Sequence, residues 1–260
     1  MGVLDRFSLK GRIALVTAGA GPHFGSSISE ALVEAGATLI TASRSLENNR
    51  VYAEGLCRRG FEAHGMELDI TDLVSIRRLH DQVLEKFGSL DVLVNSAVTN
   101  VGGSFETQTA DDWLISARGD MVGLFAICKA FVGAMVRQGR GSIINISSMY
   151  GVVANDPTLY EGTEMLQSPH YNFVKAGMIN FTRHIANYYS KKGVRANCIS
   201  PGGYFANQPE SFVKQYCKRV PIGRMLNNED IKGAVVFLAS DASEYVTGTN
   251  VMVDGGWTSL

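Results

Sequence analysis

Short apolar runs recur along the chain, separated by longer stretches in which apolar positions return every three or four residues. The runs are Ile13–Thr17, Thr38–Thr41, Asp91–Val94, Ser142–Ile146, Ala196–Ile199 and Asn250–Val253. They are nearly continuous instead of alternating, which predicts strands covered on both faces, as in a parallel sheet. Between them, Ile28, Ala31, Leu32 and Ala35, and later Leu73, Ile76, Leu79, Val83 and Phe87, fall on single helical faces. These predict amphipathic crossover helices. Repeated strand–helix–strand units imply right-handed crossovers, with the ligand crevice at the carboxyl ends of the strands. The expected class is α/β, a doubly wound Rossmann fold with helices on both faces of the sheet. Residues 1–260 carry no linker or repeat and read as one domain. The longest irregular stretches, 150–168 and 201–222, have the length of lids or binding loops.

Composition narrows the partners. The chain is 45% hydrophobic and 19% charged with a formal charge of −1, enough to bury a large core and no electrostatic reason to bind nucleic acid or an anionic membrane. No apolar run approaches a membrane span, and residues 1–10 are not signal-like. Cys57, Cys128, Cys198 and Cys217 are far apart and lack metal-ligand spacing, so no metal and no disulfide framework is expected. Reduced thiols and a cytoplasmic location fit this pattern, and the expected ligand is a small molecule.

The first strand runs into Thr17-Ala18-Gly19-Ala20-Gly21-Pro22-His23-Phe24-Gly25, ahead of the first helix. That is the context of a dinucleotide fingerprint: Gly19, Gly21 and Gly25 let backbone approach a pyrophosphate, and the helix N-terminus favours its charge. At the end of the second strand Ser43 stands where a carboxylate would read a ribose 2′-hydroxyl, and Arg44 can fork onto a 2′-phosphate. This favours NADP(H) and leaves NAD(H) accommodated; the alternative is that Arg44 is a solvated surface charge. Asp69, followed by Ile70, either faces an adenine or serves as a cap or turn residue. Asn95 and Ala97, with Ser96 between them, would let a ribose lie close, unless they are ordinary turn chemistry.

Ser148, Tyr171 and Lys175 form Ser-x22-Tyr-x3-Lys. A phenol four residues before an ammonium on a helix shares its face, so the lysine can favour the phenolate. Together they can pass a proton to a carbonyl while Ser148 orients it and stabilises developing negative charge. Lys175 and Tyr171 also face the cofactor, and Asn197 with Pro201-Gly202 would shape its nicotinamide end. A second Tyr-x3-Lys, Tyr188 and Lys192, lies at a polar helix end and reads as structural. His170 is left outside the catalytic set.

Taken together these residues resemble a classical short-chain dehydrogenase/reductase across essentially the whole chain. The likeness is carried by residues 10–17, Leu90-Asp91-Val92-Leu93-Val94-Asn95, Asn145-Ile146-Ser147-Ser148, Tyr171–Lys175, Val194–Gly202 and Gly248–Gly256. It implies a seven-stranded parallel sheet in the order 3-2-1-4-5-6-7, NAD(P)(H), a Ser-Tyr-Lys set joined by an asparagine, and a homo-oligomer, dimer or tetramer. Four positions depart from the pattern. The glycine turn is one residue longer, with Ala18 at the first glycine and Pro22 removing a donor. Asp120 stands in place of the asparagine, as a relay member or a helix-kink residue. Val98 replaces a glycine. Residues 155–168 lengthen the Ser148–Tyr171 spacing, either as a polar cover over the substrate pocket or as a solvated loop. The Tyr-Glu-Gly-Thr within this insertion resembles a subset of the family associated with sugar and nonulosonate-pathway reductases.

The reading is a reductase or dehydrogenase of a polar, sugar-like carbonyl. The alternative is a dinucleotide-binding regulator that kept the fold. Tyr-x6-Lys, the spacing of enoyl-thioester reductases, occurs nowhere.

Overall fold

In the computed structural model, which describes residues 2–259, seven strands form one parallel sheet. The chain runs β1 (Ile13–Thr17), α1 (Phe24–Glu34), β2 (Thr38–Ser43), α2 (Leu46–Arg58), β3 (Ala63–Glu67), α3 (Leu73–Phe87) and β4 (Val92–Asn95). It continues with α4 (Ala110–Ser116), a π-helical stretch Ala117–Gly123, α5 (Leu124–Gln138), β5 (Gly141–Ile146), α6 (Pro169–Tyr189) and β6 (Val194–Pro201). It closes with α7 (Glu210–Arg219), α8 (Lys232–Ala239) and β7 (Asn250–Val253). The strand order is β3-β2-β1-β4-β5-β6-β7, as the resemblance implied. Order reverses beside β1, which pairs with both β2 and β4; this is the switch point where a doubly wound sheet opens a crevice.

The continuous apolar strands are explained by what covers them. On one face Leu15, Leu93, Ile143 and Cys198 meet Leu79 and Val83 of α3, Phe131 of α5 and Met178 of α6. On the other, Val16, Leu39, Val94 and Ile199 meet Ile28 and Leu32 of α1, Leu56 of α2 and Leu238 of α8. Burying each such side chain contributes about 1.5–3 kcal/mol. β3, Ala-His-Gly-Met-Glu, is not an apolar run because it is an edge strand; a side chain at Gly65 would collide with the Asn49 backbone of α2, so this strand carries glycine for close approach.

One expectation needs correction. Residues Ala110–Gln138 form a continuous helical rod, long and apolar enough by length and composition to cross a membrane. Arg118 and Asp120 interrupt its apolar sequence, which hid its length. Of its most apolar window 56% is buried within the protein, as suits a core helix.

Candidate active site

The carboxyl ends of β1, β2, β4 and β5 share one edge of the sheet. There the Thr17 hydroxyl accepts from the amides of Ser96 (2.9 Å) and Ala97 (3.0 Å), tying β1 to the turn after β4. The side chain of Asn95 points the other way, donating to Asn145 Oδ1 at 2.7 Å and to Cys128 Sγ. Its amide nitrogen therefore serves the core.

The glycine turn folds tightly on itself. Ala18 and His23 take φ of 56° and 67°, the Gly21 amide donates to the Ala18 carbonyl, and the Ser29 hydroxyl donates to the Gly19 carbonyl at 2.8 Å. A Cβ at Gly19 would lie 2.7 Å from Ser29 Oγ, and one at Gly25 would strike the Ala18 carbonyl. These two glycines are thus demanded by the packing of strand against helix. The part left for an anion is the start of α1: His23 provides no side-chain cap, and among the described residues no protein acceptor takes the amides of Phe24 and Gly25. Unpaired first-turn donors at a switch point fit a dinucleotide pyrophosphate, despite Pro22.

Ser43 accepts from Asn49 Nδ2 at 2.8 Å, while Arg44 is exposed beside it. Asp69 lies two residues beyond β3 and its Oδ1 accepts from the Thr71 amide and hydroxyl at 2.9 and 2.7 Å. Thr71 holds the Asp69 carboxyl below the ordinary carboxylate range, with Arg44 and Arg118 adding to the effect. The turn role is therefore filled, and Arg118, which the sequence reading missed, joins Arg44 in making this end cationic. Ile70 is half-buried, its carbonyl packed where a Cβ on Gly123 would fall. At the opposite end Pro201 is buried and the Gly202 amide donates to Val253. Asn197 lies in mid-strand with its amide committed to Val246 and Thr249; this corrects its expected place at the nicotinamide.

Ser148 caps a short helical turn, Met149–Gly151, which packs on α6. Its Oγ accepts from the Tyr150 amide at 3.1 Å. On α6 the Lys175 ammonium lies 5.5 Å from the Tyr171 ring centre and donates to the Ile146 carbonyl at 2.8 Å. Ser147 Oγ bonds the Lys175 carbonyl, and a Cβ at Gly151 would meet that same carbonyl at 2.9 Å. Lys175 is 5% exposed, so its charge is held in a poorly solvated place next to a half-buried phenol.

Asp120 is buried in the π-helical stretch at 7% exposure. Its oxygens accept from the Thr99 amide (2.8 Å) and the Ser116 hydroxyl (3.0 Å). Burial pushes its carboxyl above the ordinary range, while the Thr99 bond and then the Lys175 charge pull it back. Asp120 thus ties the π-helical stretch to Thr99 and is close enough to Lys175 to feel its charge. His170, left aside in the sequence, is 2% exposed, and its Nδ1 bonds Gln108 Nε2 at 2.8 Å.

The first part of the insertion is docked, while Glu161, Gly162, Glu164 and Leu166 are exposed. Leu159 is fully buried with Met149, Phe212 and Tyr216, Asp156 pairs with Arg219 of α7, and the Tyr160 hydroxyl bonds Tyr150 and Asn155. The segment after β6 is likewise fastened over the glycine turn. Tyr204 packs on His23 and Phe24, with ring centres at 4.5 and 5.3 Å, and both its hydroxyl and Ser27 Oγ donate to Asn228.

A family model described as enoyl-(acyl carrier protein) reductase matches residues 19–258. The NADP-dependent mannitol dehydrogenase of Hypocrea jecorina is 34% identical over 99% of this chain and 96% of its own. The chain belongs to the short-chain dehydrogenase/reductase family. A 3-oxoacyl-[acyl-carrier-protein] reductase of Aquifex aeolicus is 29% identical over 95% of the chain and 98% of its own. Among solved structures, a gluconate 5-dehydrogenase from Burkholderia cenocepacia in complex with NADP and tartrate superposes with a TM-score of 0.90 at 30% identity, each chain fully covered.

As a short-chain dehydrogenase/reductase the protein is an oxidoreductase of alcohols and carbonyls. Its second Tyr-x3-Lys is peripheral: Tyr188 is 64% exposed and stacks on His184. Among the described residues no cluster of metal-ligating side chains occurs.

Proposed function

We propose that the protein interconverts a ketone and a secondary alcohol on a polar, polyhydroxylated substrate, with NADP(H) preferred and NAD(H) tolerated. What supports this reading is the buried Lys175 ammonium, 5.5 Å from the Tyr171 ring centre and bonded to the Ile146 carbonyl at the end of β5, with the turn that Ser148 caps packed on the same helix. Bound at that edge, a nicotinamide dinucleotide supplies or accepts the hydride. The chain's own residues handle the proton and the charge. In reduction Tyr171 releases its hydroxyl proton to the carbonyl oxygen, and the Lys175 ammonium stabilises the phenolate left behind. Ser148 Oγ turns its hydrogen toward the same oxygen, which suits its present bond because the oxygen only accepts from Tyr150. The absence of Tyr-x6-Lys weighs against enoyl chemistry. NADPH oxidation across ketoses, sugar nucleotides and aromatic ketones tests the reading. A dinucleotide that binds tightly while no carbonyl turns over favours the regulator instead.

The cofactor preference rests on Arg44, exposed beside the uncharged Ser43. Removing a fork of charge-assisted hydrogen bonds costs about 1.5–3 kcal/mol. Arg44→Ala is therefore expected to raise the Kd for NADPH roughly 10- to 100-fold while that for NADH moves little. Equal losses for both would contradict the assignment.

We further read the enzyme as a cytoplasmic homo-oligomer, a dimer or tetramer. All four cysteines are free thiols. The outer face of the α4–α5 rod exposes Leu114 (67%), Ile115, Met121, Val122 and Phe125, with Phe173 of α6 against Trp113. Such a contiguous apolar face on a soluble oxidoreductase supports self-association. Sedimentation should give a species of at least two chains; a monomer at micromolar concentration would refute this.

A further inference from the structure

A cleft of about 490 Å³ opens between residues 104–106, the docked insertion and the start of α6; Tyr171 does not line it, but its chain neighbour Asn172 does. Asn172, which follows the tyrosine, lines it together with Asn155 and Gln167. The amides of Gln167 and Asn172 make no side-chain hydrogen bond among the described residues, so they face the cleft with their donors and acceptors unused. Phe105, 80% exposed, and Leu166 form an apolar rim. Polar groups beside an apolar rim suit a small-molecule site, and neutral amides suit hydroxyl groups.

The charge of this cleft is one-sided. Its lining holds Glu106 and no lysine, arginine or histidine. The insertion adds Glu161 and Glu164, which have no ion-pair partner among the described residues, and its Asp156 is already matched by Arg219. The cationic groups of the catalytic end do not line it: Lys175 is buried and donates to the Ile146 carbonyl, and His170 is buried with Nδ1 taken by Gln108. Burial also holds His170 below its ordinary pKa. Lys214 and Lys218 of α7 do not line the cleft.

We propose that the cleft takes the hydroxylated tail of an uncharged carbonyl substrate and rejects one ending in a carboxylate. The inference rests on the reductase reading and sharpens it, because the relatives include enzymes named for an uncharged alditol and for an aldonic acid. An anion entering beside Glu106 meets like charge with no compensating cation in the cleft's lining, a repulsion on the order of tenfold in kcat/KM at a partly solvated site.

The test compares D-fructose, 5-keto-D-gluconate and the small uncharged ketone dihydroxyacetone as NADPH-dependent substrates at low and physiological ionic strength. The expected result is a kcat/KM for fructose at least about tenfold above that for the keto acid. Salt should raise the keto-acid value and leave the fructose value nearly flat, since screening weakens only the repulsion. Glu106→Lys should narrow the ratio several-fold. A keto acid used as well as fructose, or one whose rate falls with salt, overturns this inference alone. No turnover of any of the three, dihydroxyacetone included, overturns the reductase reading and this inference with it.

Discussion

Tyr171→Phe is expected to lower kcat for carbonyl reduction by about 10²- to 10⁴-fold, the span that a positioned proton donor contributes. The loss should fall on kcat far more than on the dinucleotide Kd, because the variant keeps the ring that packs beside Lys175 and deletes one oxygen. Single-turnover NADPH fluorescence separates the two. The neighbouring phenols offer no substitute. Tyr150 is half-buried, its hydroxyl is 3.2 Å from that of Tyr160, and burial pushes its pKa strongly up, so it yields a proton poorly. Tyr216 gives its hydroxyl to the Gly203 amide as an acceptor and is likewise pushed up to about 12 by burial. A Tyr171→Phe enzyme within fivefold of wild type would show that another group delivers the proton, and the reading built on Tyr171 would fall.

What was legible in the sequence follows from how local each signal is. The five inner strands announce themselves because a strand covered on both faces must be apolar throughout; of the two edge strands, β7 keeps the apolar run Val251-Met252-Val253 while β3 carries His64 and Gly65. The Tyr171–Lys175 pair is legible because one helical turn fixes their relation. Contacts between distant segments leave no such trace. Nothing in the spacing says that Tyr204 will pack on His23, that Gln108 will reach His170, or that Arg118 will join Arg44 near Asp69. Polar residues are the most often misplaced. Asn197 looks like a ligand contact in the sequence, yet its amide is bonded inside the protein to Val246 and Thr249, because a buried amide must satisfy its own donors and acceptors first. The insertion was legible as an addition but not as a docked one, since its anchors Leu159 and Asp156 find Phe212 and Arg219 some fifty to sixty residues later.

Lys175→Met is the second large effect, expected to lower kcat by about 10²-fold or more, since stabilising charge that develops in a poorly solvated site is worth several kcal/mol. The variant retains the alkyl volume and removes the ammonium, so the Ile146 carbonyl loses its donor and Tyr171 loses its counter-charge. A merely structural role would also lower kcat, so a readout tied to charge is needed, and Asp120 provides it. Its carboxyl is already raised by burial and held down in part by Lys175; without the ammonium it rises further. A carboxyl with a raised folded-state pKa binds its proton more tightly when folded than when unfolded. Its contribution is therefore fully present below the ordinary value of 3.8 and is lost as pH climbs through the folded value. Lys175→Met should accordingly lose Tm more steeply than wild type as pH rises from just above 3.8, and the loss should persist to higher pH. Adding Asp120→Asn, which cannot ionise, should abolish the difference in slope without restoring turnover. Parallel Tm curves for wild type and Lys175→Met would mean that the ammonium and the Asp120 carboxylate are not electrostatically coupled, and the buried charge at Lys175 would need another explanation.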